Sequence, residues 1–168
     1  EIQHRINRLS SPEVVGETTF IIPDLVEFKQ MSPDWQEVRF CKHLGENKTV
    51  KVLDISGLGL KDGFCSQFAK LVLVPTTALV EINMGRNDFS GAGITIIADA
   101  LAQPAVRLEK LKINHQTGSI GAAAELSMVA ATKANKNLRT VNMDWKSSNN
   151  RYDAEKHLTW NTDQVRMR

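Results

Sequence analysis

"LVEINMGRNDFSGAGITIIADAL", residues 79–101, carries the pattern on which the fold is read. Leu79, Ile82 and Met84 stand in an L-x-x-L-x-L frame. Asn87 and Phe89 follow, then Gly91 and Gly93, then apolar residues at helical spacing. The frame recurs as Val50, Leu53 and Ile55, as Leu108, Leu111 and Ile113, and as Leu138, Val141 and Met143. First positions at 50, 79, 108 and 138 give steps of 29, 29 and 30 residues, and the second and third columns keep those steps. Upstream, Phe20 and Ile22 match Leu53 and Ile55 in a weaker copy with a longer loop.

A period in this range, with one short strand and one helix per copy, is the sign of a leucine-rich repeat. The expected fold is therefore α/β: a right-handed solenoid of about five strand–helix repeats, parallel sheet inside and helices outside. Residues 17–145 hold the repeats. Residues 1–10, with Ile2, Ile6 and Leu9 on one helical face, suit an N-terminal cap helix, and residues 149–168 a C-terminal one. Such caps keep the end repeats from leaving half their core wet. A chain of 168 residues suits one domain.

Within a repeat, the frame residues point into the core. Asn87 sits where the chain leaves the strand, and its amide can satisfy backbone groups that no ladder reaches. Gly91 and Gly93 allow close approach to the neighbouring repeat. A phosphate-cradling role for "GAG" is the sharper alternative, but the P-loop lysine and the longer dinucleotide fingerprint are both missing. The helix boundaries are readable. Ser32 and Pro33 suit an N-cap and first turn, with Trp35, Val38, Cys41 and Leu44 facing inward. Asp62 suits a cap before Phe64, Phe68, Leu71 and Val72, with Pro75 beyond the end. Ile94, Ile97, Ala98 and Leu101 form the next stripe, and Ala122, Leu126, Val129 and Ala130 the one after. In the tail, Tyr152, Leu158 and Val165 share one helical side, with Trp145 and Trp160 near the solenoid's end.

Function is constrained by exclusion first. The net charge of +2 is too small for a dedicated nucleic-acid or membrane-surface binder, and no apolar run is long enough to span a bilayer. His4, His43, His115 and His157 share no metal-ligand spacing with one another or with Cys41 and Cys65. No nucleophile elbow or His-Glu-x-x-His motif is present. Neither catalysis nor a cofactor nor a metal is expected. The two cysteines read as free buried thiols, a disulfide being the alternative. Asn47-Lys48-Thr49 matches a glycosylation acceptor but reads as an inter-repeat turn.

Residues alternating with the core columns face the open side of the sheet: Val52, Glu81, Lys110, Thr140; Asp54, Asn83, Lys112, Asn142; Ser56, Gly85, Asn114, Asp144. Glu81 beside Lys110 suits a cross-strand ion pair. This face is mixed in charge and lacks aromatic anchors, so it reads as solvated. The strand-to-helix loops differ. Lys61, Arg86, Asn87, His115, Gln116, Lys146 and Arg151 fall on one polar, partly basic rim, where repeat proteins place their contacts; plain exposed loop residues are the competing reading. Arg166 and Arg168 extend the basic edge.

The order of parts is similar to the C-terminal domain of the tropomodulin and leiomodin family. The resemblance rests on "INRL" in the first helix, "FSGAGITIIADAL", "INHQTGSIGAAAELSMVAATKANKNL" and the ending "NTDQVRMR", and it covers nearly the whole chain. His115 departs from it, standing where the family usually has Asn, as does the alanine-rich helix that follows. The resemblance implies a monomeric actin-binding module that contributes to pointed-end capping or to nucleation. It also implies a cytoplasmic, cytoskeletal setting, on actin filaments and in sarcomeres. Tropomyosin binding would belong to a region outside this chain, which then reads as part of a longer protein. Two alternatives stand beside it: a generic leucine-rich repeat interaction module, and a Ran-type GTPase-activating repeat protein, which Asn87 alone fits.

Overall fold

Phe20, Leu53, Ile82, Leu111 and Val141 lie opposite one another, strand to strand, in the computed structural model, which describes residues 2–8, 19–22, 25–73 and 78–167. They are the central residues of β1 (Thr19–Ile21), β2 (Val52–Asp54), β3 (Glu81–Asn83), β4 (Lys110–Lys112) and β5 (Thr140–Asn142). The five strands form one parallel sheet in sequence order. Each strand is three residues long, enough for one inward side chain flanked by two outward ones. All five column residues are buried. A parallel sheet needs a crossover in every connection, and here helices supply it.

In chain order the helices are α1 (Ile2–Arg8), α2 (Leu25–Gln30), α3 (Phe40–Glu46), α4 (Asp62–Phe68), α5 (Gly91–Leu101), α6 (Ala122–Ala134) and α7 (Ser148–Arg166). Of the residues suited to the first cap, Ile6 is fully buried, while Leu9 and the Ile2 side chain lie outside the described residues. The expected closing helix begins one residue earlier than read and runs to Arg166; Arg168 lies outside the described residues. So do Pro75 and the start of the first repeat.

The core changes character along the solenoid. All six phenylalanines fall between residues 20 and 89, and five of their ring pairs lie with centroids 5.3–6.5 Å apart, running from Phe20 through Phe40 and Phe64 to Phe89. Such pairs contribute beyond the area they bury. Beyond Phe89 the core is built from Ile, Leu, Val, Met and Ala. At Gly93 of α5 the space a side chain would fill is taken by the preceding repeat: a Cβ would lie 2.3 Å from Asp62 Oδ1.

Four readings of the helices need correction, the last of them on α7. Val38 is exposed and Phe40 buried, because Asp34–Arg39 is a π-helical segment, in which Phe40 N–H donates to Trp35 O. The wider turn rotates the stripe away from 3.6-residue spacing. Asp62 does not cap α4. Its carboxylate reaches the next repeat, accepting from Ser90 N–H at 2.8 Å and Ser90 Oγ at 2.5 Å. The stripe on α6 is rotated as well: Ala122 and Ala130 are exposed, Leu126 is 58% exposed, and Ala124, Glu125, Met128, Ala131 and Thr132 are buried instead. Alanines sit on every side of this helix, so hydrophobicity alone does not fix its rotation. Glu125 fixes it, being 1% exposed and buried for its hydrogen bonds.

On α7 the inward positions are Ala154, Leu158 and Asn161. Tyr152 and Val165, read as inward with Leu158, are exposed, as are Trp160 and Met167. Asn161 Nδ2 donates to the carbonyls of Thr132, Asn135 and Leu138 at 2.8–3.2 Å. It thereby ties the closing helix to the end of α6, whose last carbonyls have no partner within their own helix.

Candidate functional site

The strand exits are held by polar side chains that reach backward into the preceding repeat. Asn87 is fully buried. Its Oδ1 accepts from Leu58 N–H at 3.0 Å and Leu60 N–H at 3.2 Å. Its Nδ2 donates to Ile55 O at 3.0 Å and Met84 O at 2.9 Å. Four backbone groups at a bend that no ladder serves are met by one amide. Gln116, one repeat on, repeats the arrangement with a longer side chain: Oε1 accepts from Phe89 N–H, and Nε2 donates to Met84 O and Ile113 O. Neither side chain is presented outward for recognition. The case for a GTPase-activating rim rested on Asn87, and its amide is spent inside the turn.

These wedges set the rim above them. Gly57, Arg86 and His115 occupy one position in successive repeats, with φ of 70°, 56° and 59°. The left-handed region is unstrained for glycine only, yet two repeats hold bulky polar residues there. Their backbones are clamped: Arg86 N–H donates to Asn114 O, and His115 N–H to Asp144 Oδ2. The result projects the Arg86 and His115 side chains, both exposed, over the carboxyl ends of the strands.

A hollow of about 370 Å³ opens beneath them, lined by Ser56, Asn83, Gly85, Arg86, Lys112, Asn114 and His115. The open sheet face therefore contributes to the rim as much as the loops do. Glu81 pairs with Lys110 at 3.3 Å, as its place opposite that lysine suggests, and also with Lys112 at 3.4 Å. Burial would raise the Asp54 carboxyl, but hydrogen bonds from Ser56 and Asn83 and the charge of Lys112 outweigh it and hold it below its ordinary value.

The remaining rim candidates are spread along the edge. Lys61 is exposed just before α4. Lys146 is exposed, and its backbone N–H donates to Glu125, whose carboxylate also accepts from Ser147 N–H and Asn150 Nδ2. Burial would raise Glu125 too; the donors prevail and keep it below the usual carboxylate value. Arg151 pairs with Glu155 at 2.7 Å and lines a second hollow with Asn114, Asp144 and Trp145. Arg166 lines a third, between α7 and β5, with Arg139, Thr140, Thr162 and Asp163. Arg86 and His115 thus share a hollow, while Arg151 and Arg166 belong to neighbouring ones.

Sequence reasoning treated Asn83, Lys112 and Asn114 as a solvated face. The signal available was their position one and two rows from Arg86, at the carboxyl ends of parallel strands, where α/β sheets bind ligands. It also missed the outward apolar residues of α7, Tyr152 at 67% and Trp160 at 50% exposure. Both cysteines are free and buried. Asn47 forms the turn expected of it, its Oδ1 accepting from Thr49 N–H and Val50 N–H at 2.9 and 2.7 Å. Among the described residues, no three His, Cys, Asp or Glu side chains converge as a metal site would require, and no helix is long and apolar enough to cross a membrane.

Stacked parallel strands, backward-reaching amides and a capping helix together define a leucine-rich repeat solenoid. A family model for the TMOD/LMOD leucine-rich domain matches residues 29–164, and the chain belongs to that family. Among solved structures, leiomodin-1 actin-binding site 2 is similar over 99% of this chain and 92% of its own, with TM-score 0.86 and 20% identity. The tropomodulin C-terminal domain of Caenorhabditis elegans is similar over 99% and 96%, with TM-score 0.84 and 17% identity.

Proposed function

We propose that this domain binds actin, as a monomer and without catalysis, through the strand-exit rim and the closing helix. Membership of the family carries the reading, since the similar leiomodin-1 structure is itself described as an actin-binding site. The chemistry of the rim supports it. Lys61, Arg86, His115, Lys146 and Arg151 are all exposed along one edge, and Arg166 continues it on α7; Arg168 extends it in sequence. Actin is acidic overall, so a basic edge steers its approach. Asn87 and Gln116 act indirectly, by shaping the loops that carry these charges. Tropomyosin contact, on this reading, belongs to a segment outside this chain, and the setting is the actin cytoskeleton.

Single exposed charges contribute about 0–1 kcal/mol, so the isolated domain binds weakly and its effect grows when it is tethered to other actin sites. The test is co-sedimentation with filaments together with pointed-end elongation of pyrene-actin. The wild-type domain is compared with Arg86→Glu and Arg166→Glu. Each reversal should weaken binding by about fivefold. Unchanged binding in both variants removes the rim, and no binding by the wild type at high concentration removes the actin reading. Slower elongation with an unchanged nucleation lag indicates capping, and a shortened lag indicates nucleation.

A further inference from the structure

The hollow under Arg86 and His115 combines three features that go beyond a basic edge. First, its charge is uncompensated at one point. Lys112 shares Glu81 with Lys110. Asp54 is engaged by Ser56 and Asn83, the latter at 3.1 Å. Asp144 accepts from His115 N–H, and the imidazole Nδ1 lies 3.8 Å from the same oxygen. Every neighbouring carboxylate thus has partners within the fold. Among the described residues, none pairs with the Arg86 guanidinium, and no carboxylate lines the hollow.

Second, the local backbone is arranged to hold that arginine out. Gly57 shows that glycine serves the same turn one repeat earlier. Third, the floor is Gly85, where a Cβ would come within 3.1 Å of both Asn114 oxygens, backbone and side chain. With no side chain at position 85 to fill it further, the hollow stays open between Arg86, Lys112 and Asn114, which line it.

We infer that this hollow receives a carboxylate side chain, an Asp or Glu presented by an acidic segment of the protein partner. On the reading proposed above, that partner is actin. A phosphate is disfavoured by the state of the backbone. Gly85 N–H is taken by Asn83 Oδ1, Arg86 N–H by Asn114 O, and His115 N–H by Asp144. No nest of free amides remains to share a doubly charged anion. What remains is side-chain recognition, in which a planar guanidinium grips a planar carboxylate through two N–H groups.

The test separates the hollow from the choice of partner. Blocked tetraglutamate peptide is titrated into ¹⁵N-labelled domain, with blocked tetraglutamine and inorganic phosphate as comparisons. Saturating shifts at Arg86, Lys112, Asn114 and His115 with tetraglutamate alone are expected. Arg86→Gly removes the guanidinium while giving the turn the residue it has at position 57, so the fold is kept; peptide binding should fall about tenfold. Shifts that persist in Arg86→Gly, or that spread over all surface lysines without saturating, overturn the inference, as does phosphate binding at least as tightly. Actin co-sedimentation is run on the same two proteins. Peptide binding lost and actin binding unchanged in Arg86→Gly removes actin's carboxylate from the hollow and leaves the actin reading intact. If wild type binds the peptide but not actin, the actin reading fails, and the hollow stands as a docking point for another acidic partner.

Discussion

Asn87→Ala should be among the most damaging single substitutions in the domain, although it changes a polar residue in a loop. In the wild type the side chain serves Leu58 N–H, Leu60 N–H, Ile55 O and Met84 O. Met84 O keeps a second donor, Gln116 Nε2 at 3.0 Å, so truncation orphans three groups. Each unsatisfied buried group costs about 1–3 kcal/mol, with a water entering the gap relieving part of it. A net loss of about 3–5 kcal/mol follows, against a stability of roughly 5–15 kcal/mol for a domain of this kind. Urea unfolding followed by circular dichroism measures it, and hydrogen exchange localises it: the Leu58 and Leu60 amides should lose protection. Asn87→Asp sharpens the argument. A carboxylate keeps both accepted bonds but faces the Ile55 and Met84 carbonyls with oxygen, so protonation, which restores a donor, is favoured in the fold. Its folded pKa is then raised. The penalty is full above that value and shrinks as pH falls toward the unfolded value of about 3.9. An Asn87→Ala loss below 1 kcal/mol, or an Asn87→Asp penalty that grows on acidification, would refute the reasoning.

Ile82→Ala, in the middle of the stacked column, should cost about 2–5 kcal/mol in the same urea experiment, since the cavity lies between two repeats that the sheet holds apart. Glu125→Gln should cost about 3 kcal/mol at neutral pH by weakening the bonds to Lys146, Ser147 and Asn150. Because Glu125 is held below its ordinary pKa, that advantage is present above about pH 4.3 and fades as pH falls through the lower folded value; thermal melts of wild type and variant should converge there. Burial pushes both the Cys41 and Cys65 thiols up, so both should resist maleimide under native conditions and react at the rate of unfolding; rapid native labelling of either would contradict their burial.

The stacked column was legible because one residue per strand repeats at fixed spacing, and a miss of one position would have placed polar side chains in the core. Asn87 was legible as a turn residue but not as a buried one: its neighbours Arg86 and Asp88 are both exposed, and only the fold of the preceding repeat reveals what its amide meets. The helix faces were less legible. The stripe read from Trp35 to Leu44 fails at Val38, where a π-helical segment changes the period before α3, and those on α6 and α7 fail where buried Glu125 and Asn161 do the work that a hydrophobic stripe was expected to do. In both cases a polar side chain is drawn inward by backbone groups far away in sequence, 21–29 residues for the bonds described. The hollow under Arg86 was half legible, its loop residues being singled out and its sheet residues set aside.

The backward reach of Asn87 and Gln116 bears on how the domain responds to force. Each junction in the sheet is only three residues wide, so a pull along the solenoid axis would open an unreinforced ladder one hydrogen bond at a time, like a zip. A side chain anchored in two repeats changes the geometry of loading. Tension reaching the β2–β3 boundary falls at once on the bonds Asn87 makes to Ile55, Leu58 and Leu60 as well as on the ladder, and Gln116 does the same at the next boundary through Met84 and Phe89. At the last boundary Glu125 and Asn161 hold the terminal helix to α6. The wedges therefore act as rivets across the seams, and a structure that would otherwise peel repeat by repeat carries load in parallel.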